Sequence, residues 1–149
     1  MDFLTKGKEV EQQFAKTLSN PKQSNKDQDI NEHWDIANTV TYDVKAMKKI
    51  NRSDNHPNEN IHWVEIKNVH GNNGWLYGKA DYIVFETEDY WITVPTPALQ
   101  SLISKKTVKQ YTEYPTLYRL YTRKGRKDII TLVKTIDLIY IGQIKQKST

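Results

Sequence analysis

Hydrophobic positions along this chain change their period several times, and each change marks an element. Over residues 2–19 they recur at helical spacing. Stepped at about 100° per residue, Val10, Phe3, Phe14, Gly7, Leu18, Leu4 and Ala15 share one arc. The spacing predicts a helix closed by Asn20-Pro21. Glu11 falls inside the arc, between Leu18 and Leu4, whereas Glu9 lies opposite. A carboxylate on the buried side of a helix requires a partner or a cation. Glu11 is therefore a functional candidate ahead of Glu9, Glu32 and Glu59.

Residues 19–31 are polar and read as a loop. Strands follow near 33–38, 40–48 and 61–69, the last two joined by the polar stretch 51–60, and together they predict a three-stranded meander. The apolar run Ala80-Asp81-Tyr82-Ile83-Val84-Phe85 suits a buried strand, and Tyr90-Trp91-Ile92-Thr93-Val94 should pair with it across an acidic turn. Thr96 is placed to cap a helix with Pro97 at its first position and Leu99, Leu102 and Ile103 as its buried stripe. Strands near 117–123 and 128–134 flank Lys124-Gly125-Arg126-Lys127, which predicts a hairpin. Residues 136–144 close the chain as a strand or short helix. The sum is one α/β (α+β) domain over residues 1–149 with a mixed central sheet, the hairpin 117–134 being an elaboration.

Composition narrows the setting. With no cysteine the chain has neither disulfides nor thiolate metal sites, which fits a reducing, cytoplasmic home. No apolar run approaches the roughly 20 residues of a membrane span, and residues 1–18 are too charged for a signal peptide. The net charge of +4 is mild, but its distribution is uneven. Basic residues gather at Lys45-Lys48-Lys49-Arg52, at Lys105-Lys106-Lys109 and at Arg119-Arg123-Lys124-Arg126-Lys127, with tyrosines among them. That mixture suits a phosphate backbone with exposed bases. Arg123, Lys124, Arg126 and Lys127, on a projecting turn, are the leading phosphate-binding candidates. Among the aromatics Trp75 stands apart, because Gly71, Gly74 and Gly78 would let its loop approach a nucleic-acid backbone.

The chemistry concentrates in residues 33–45. A hairpin centred on Thr39 places Asp35 directly opposite Asp43, with Cβ atoms roughly 4.5–5.5 Å apart. Alternation puts Lys45 on the face of Asp43, and His33 should lie opposite Lys45. Glu11, Asp35 and Asp43 thus offer oxygen donors for a hard divalent cation such as Mg²⁺, with Mn²⁺ able to substitute, and Lys45 adds an amine. Such a set is equipped to hydrolyse a phosphodiester. The four histidines show no metal-ligand spacing.

Asp35 followed by Asp43-Val44-Lys45 resembles the PD-(D/E)xK nuclease superfamily in its D…DxK form. The segment Gly7-Lys8-Glu9-Val10-Glu11-Gln12-Gln13-Phe14-Ala15 is similar to the first helix of archaeal-type Holliday junction resolvases, in which a glycine precedes the helix glutamate by four positions. The resemblance spans about residues 5–95 and implies a restriction-endonuclease-like αβββαβ core, Mg²⁺ as cofactor and DNA as substrate. Trp34, not proline, precedes Asp35, and the eight-position gap to Asp43 is short. Glu65-Ile66-Lys67 is a second acid-x-lysine on the following strand, which would make Asp43 the first acid and let Lys67 touch phosphate.

Two functions follow as expectations. One is a Mg²⁺-dependent DNA endonuclease of junction-resolving, homing or restriction type, phage-like and acting in the infected cell, as a homodimer or higher oligomer because each site cuts one strand. The other is a non-catalytic nucleic-acid-binding module that keeps the fold. A partner-binding protein with an incidental acidic patch is a third.

Overall fold

The computed structural model describes residues 3–18, 21–26 and 28–147. Residues 2, 19 and 20, where the sequence places the first helix's ends, lie outside this set, as do the side chains of Phe3 and Leu4. The described residues form α1 (Phe3–Ala15), β1 (Lys22–Gln23), β2 (Ile36–Asn38), β3 (Val40–Lys45), β4 (Ile61–Lys67), β5 (Tyr82–Glu86), β6 (Tyr90–Pro95), α2 (Thr96–Lys106), β7 (Val108–Thr112), β8 (Arg119–Tyr121), β9 (Ile129–Lys134), α3 (Thr135–Ile141) and β10 (Gln143–Gln146). A short π-helical segment, Gln28–Glu32, precedes β2, and a 3₁₀ turn, Trp75–Tyr77, precedes β5.

These elements make two mixed sheets and few helices, an α+β arrangement. The first sheet has the order β1-β2-β3-β5-β6-β10 and the second β4-β9-β8-β7. α1 lays Val10 and Phe14 on one face of the first sheet, against Ile36, Val44, Val84 and Trp91. The other face shares a core with the second sheet, α2 and α3, built around Val64, Phe85, Ile92, Leu99, Val133 and Leu138. β5 is central, and Ile83, Val84 and Phe85 are fully buried, as an unbroken apolar run requires.

The β2–β3 hairpin has the expected register: Ile36 opposes Tyr42, Ala37 opposes Thr41 and Asn38 opposes Val40, with Thr39 turning at φ 60°. The meander does not continue. β4 leaves for the second sheet and pairs antiparallel with β9, and β3 takes β5 as a parallel neighbour. The reason is burial. The strand that is apolar on both faces takes the sheet's interior, while residues 46–60 carry β4 to the other layer. Asp81 locks the β3–β5 pairing, because its Oδ2 accepts hydrogen bonds from Thr41 N (2.8 Å) and Thr41 Oγ1 (3.1 Å). The third strand of the expected αβββ sequence is thus absent from the first sheet.

Two further expectations are corrected. Pro95, not Thr96, occupies the α2 N-cap; Thr96 is the first helical residue and its Oγ1 donates to Ala80 O at 2.7 Å. The polar loop at 19–31 contains β1 and the π-helical segment. The late hairpin forms, with Tyr121 opposite Ile130, but β9 is also the partner of β4 and so belongs to the framework. Residues 136–144 supply most of α3 and the start of β10. Among the described residues no helix is long and apolar enough to cross a membrane.

Phe14 is 1% exposed and stacks on Trp91 with ring centroids 5.5 Å apart. Phe14→Ala is expected to cost about 3–5 kcal/mol, read as a lower urea midpoint, and an unchanged midpoint would contradict the packing of α1.

Candidate functional site

Alternation along β3 sends Tyr42 and Val44 toward α1 and puts Asp43 and Lys45 on the opposite face. There Lys45 Nζ pairs with Asp43 Oδ1 at 2.9 Å. Asp35 is one step beyond the Ile36–Tyr42 pair and therefore faces Asp43. Its backbone N donates to Tyr42 O at 2.6 Å, and its Oδ2 accepts from Val44 N at 2.7 Å. Both carboxylates are nearly closed off, at 4% and 3% exposure. Glu11 approaches from α1, half-buried and bonded to Lys8 Nζ at 3.5 Å, whereas Glu9 is exposed. The structure thus brings Asp35, Asp43 and Lys45 together, with Glu11 reaching Asp35 from the α1 side.

Crowding sets the electrostatics. Burial first, then the charges of Asp43 and Glu11, push the Asp35 carboxyl up to about 9, against the pull of Lys45 and the Val44 N–H. Glu11 is also raised, chiefly by burial, with Lys8 opposing and Asp29 adding to the rise. Burial works to lower the Lys45 ammonium, but Asp43, Asp35 and Glu65 outweigh it and hold it above the ordinary lysine value. Asp43 Oδ2 is buried with no hydrogen-bond partner among the described residues.

Glu65, the acid of the second acid-x-lysine, joins the cluster as that strand's alternation allows, and Trp75 joins with it. Lys45 Nζ sits 4.6 Å over the Trp75 ring, and Trp75 N donates to Glu65 Oε1 at 3.3 Å. Gly74 makes this possible: a Cβ there would lie 2.6 Å from Glu65 O. The Gly-Trp pair beside an acid-x-lysine strand was the available signal, but only the fold of residues 68–75 onto β4 brings Trp75 under Lys45.

Lys67 does not follow Glu65. A register shift between them breaks the alternation, and Lys67 lines a separate hollow with His33, Asn73 and Tyr77. Nor does His33 oppose Lys45. β2 begins only at Ile36, and His33 turns away at φ 58° against Gly78. In the basic hairpin, Arg123 is ion-paired to Asp128, and Lys124, Arg126 and Lys127 are exposed.

Lys45 also lines a cleft of about 690 Å³, bounded by the chain leaving β3 and by β4, β8 and the Arg123–Asp128 turn. Lys48, Arg52 and Arg123 give it positive charge, and Glu65, Glu113 and Asp128 offset part of it.

Among the described residues no three histidine, aspartate or glutamate side chains form a group able to hold a metal ion by themselves. Mg²⁺ makes a smaller demand, since it usually keeps several waters and takes one or two carboxylates plus substrate oxygens. Asp43 Oδ2, unpartnered beside Asp35, is of the donor type that this smaller demand calls for, although both groups are nearly closed off. No protein-family model matches the chain, and no curated protein or solved structure matches it significantly.

The raised Asp35 value carries a pH signature. Unfolded, this carboxyl ionises near 3.8; folded, it keeps its proton to about 9. In that window the folded state binds more protons, so its stabilising effect is full below about pH 4 and is lost as pH rises toward 9. Asp35→Asn should therefore flatten the fall of Tm between pH 5 and pH 8.5 in EDTA. Parallel pH profiles for the two proteins would refute the crowding.

Proposed function

We propose that the protein is a metal-dependent endodeoxyribonuclease of PD-(D/E)xK type, with Mg²⁺ the cofactor and Mn²⁺ a substitute. The observation that carries this reading is the grouping of Asp35, Asp43 and Lys45, with Glu11 beside Asp35, and the reach of Lys45 into a cleft that also holds Lys48, Arg52 and Arg123. When bound, Mg²⁺ would polarise the phosphodiester and lower the pKa of an attacking water. Asp43 Oδ2 and Asp35 are the groups to hold it, with Glu11 behind Asp35. Lys45, kept charged by its neighbours, faces the negative charge that grows on the phosphate. Lys48 and Arg52 hold the backbone along the cleft, Arg123 meets the strand in its wall as an ion pair with Asp128, and exposed Lys124, Arg126 and Lys127 engage backbone beyond it. The β2–β3 hairpin and its parallel neighbour β5 supply part of a restriction-endonuclease-like core, with β4 reassigned to the second layer. Cutting both strands of a duplex or junction would call on two copies of the chain.

A second reading is a nucleic-acid-binding module without catalysis. It is favoured by the Lys45–Asp43 pair, which occupies the lysine.

One experiment separates them. Purified protein is incubated with branched, single-stranded and duplex DNA in Mg²⁺ or in EDTA. Nicking should require Mg²⁺, and Asp43→Ala should lose on the order of 100-fold or more in rate while its circular dichroism and DNA affinity persist. Binding without cleavage in either buffer selects the second reading, and full cleavage by Asp43→Ala rejects the site.

A further inference from the structure

The cleft beside Lys45 has a composition that phosphate binding alone does not explain. Trp63 of β4 and Tyr121 of β8 lie side by side in its wall, ring centroids 5.9 Å apart and inclined at 38°, and Tyr114 stands at its rim, 75% exposed. Behind them three buried side-chain atoms have no hydrogen-bond partner among the described residues: His62 Nε2, Arg123 Nε and Asp128 Oδ1. All three residues line the cleft, and His62 and Asp128 are each only 4% exposed. Burying such atoms unpaired is costly, so a shift of the cleft wall that turns them toward a ligand recovers part of that cost.

The character of those atoms selects the ligand. Arg123 Nε is a donor and Asp128 Oδ1 an acceptor, on two side chains joined by the ion pair between the other ends of their groups. A phosphate supplies acceptors only and is repelled by Asp128. Burial lowers the His62 imidazole to about 4, so it is neutral at pH 7 and adds no charge for an anion. The complement is a flat, uncharged group whose edge carries both donor and acceptor and whose face stacks on an aromatic ring. A nucleobase has those properties, and it presents its edge and face together only when unpaired. The volume, about 690 Å³, lies within the usual range for a small-molecule site of roughly 300–1,000 Å³.

We infer that this cleft receives an unpaired nucleotide of a DNA strand, with the base against Trp63 and Tyr121 and the Arg123–Asp128 pair reading its edge. The adjoining phosphate then falls toward Lys48 and Lys45, at the acidic cluster. The strand direction rests on the nuclease reading; the base pocket does not. The substrate class is accordingly single-stranded or locally opened DNA, not an intact duplex.

The test is binding in EDTA, where cleavage plays no part. A fluorescein-labelled oligo(dT) and a blunt hairpin duplex of equal phosphate count are titrated by anisotropy at one fixed salt concentration. The single strand should bind about tenfold tighter, and Trp63→Ala should remove that preference while leaving duplex affinity unchanged. Trp63→Phe should restore most of it. If Trp63→Ala fails to fold by circular dichroism, Tyr121→Ala and quenching of wild-type tryptophan fluorescence by oligo(dT) decide the matter. Equal affinity for the two DNAs, an equal loss on both, or tighter binding of the matching RNA overturns the inference. Single-strand preference without Mg²⁺-dependent cutting would sink the nuclease reading alone. Cutting of intact duplex unaffected by Trp63→Ala would sink the base pocket alone.

Discussion

Two carboxylates held side by side out of water are the constraint on which this site depends. Asp35 and Asp43 face each other because the hairpin turns at a single residue, Thr39, and because Asp35 is fastened at both ends, by its N–H to Tyr42 and its carboxylate to Val44. Against the two negative charges the fold sets one close ammonium and one backbone N–H. That is too little to keep both ionised, and Asp35 responds by retaining its proton. A proton relieves this repulsion, and under the proposed function a divalent cation would relieve it instead, so the two would compete for the pair.

The rest of the architecture keeps that pair from relaxing. On one side α1 is anchored by Phe14 between Trp91 and Tyr42, which fixes where Glu11 arrives. On the other, Gly74 lets the chain touch the backbone of β4 and slides Trp75 beneath Lys45. The Asp81–Thr41 bonds set the height of β3 against β5. The first two are contacts between layers and the third lies within the first sheet. The hairpin carries the carboxylates, and its neighbours on both faces and along the sheet hold it in place.

This division explains which features could be read from the residues. The hairpin, the inward Glu11 and the face shared by Asp43 and Lys45 depend on local periodicity, and local periodicity is written in the sequence. Whether β4 pairs with β3 or with β9 is a competition among strands far apart in the chain, decided by the burial of Ile83–Phe85, and no window of residues contains it. The same limit separates Glu65 from Lys67. Strand alternation puts them on one face, and the irregularity that splits them is imposed by β9. His33 failed as an extension of β2 because the strand stops at Ile36, where the left-handed turn at His33 sets in. The aromatic wall of the cleft, shared between β4 and β8, was invisible for the same reason.

The electrostatics also assign work within the cluster. A lysine serves as a base only when burial or a like charge drives its pKa down toward neutrality. Lys45 is driven the other way, because three carboxylates outweigh its burial. It stays protonated, so it can stabilise negative charge or orient a neighbour but cannot take a proton. Under the proposed function, proton acceptance would fall instead to the carboxyl side, where Asp35 and Glu11 are both shifted upward from ordinary acid values. Asp35 has the larger shift and the tighter enclosure, and it lies between Glu11 and Asp43. In this arrangement Asp43 is ion-paired to Lys45, and Asp35 is the carboxyl that burial and its neighbours keep protonated up to about 9.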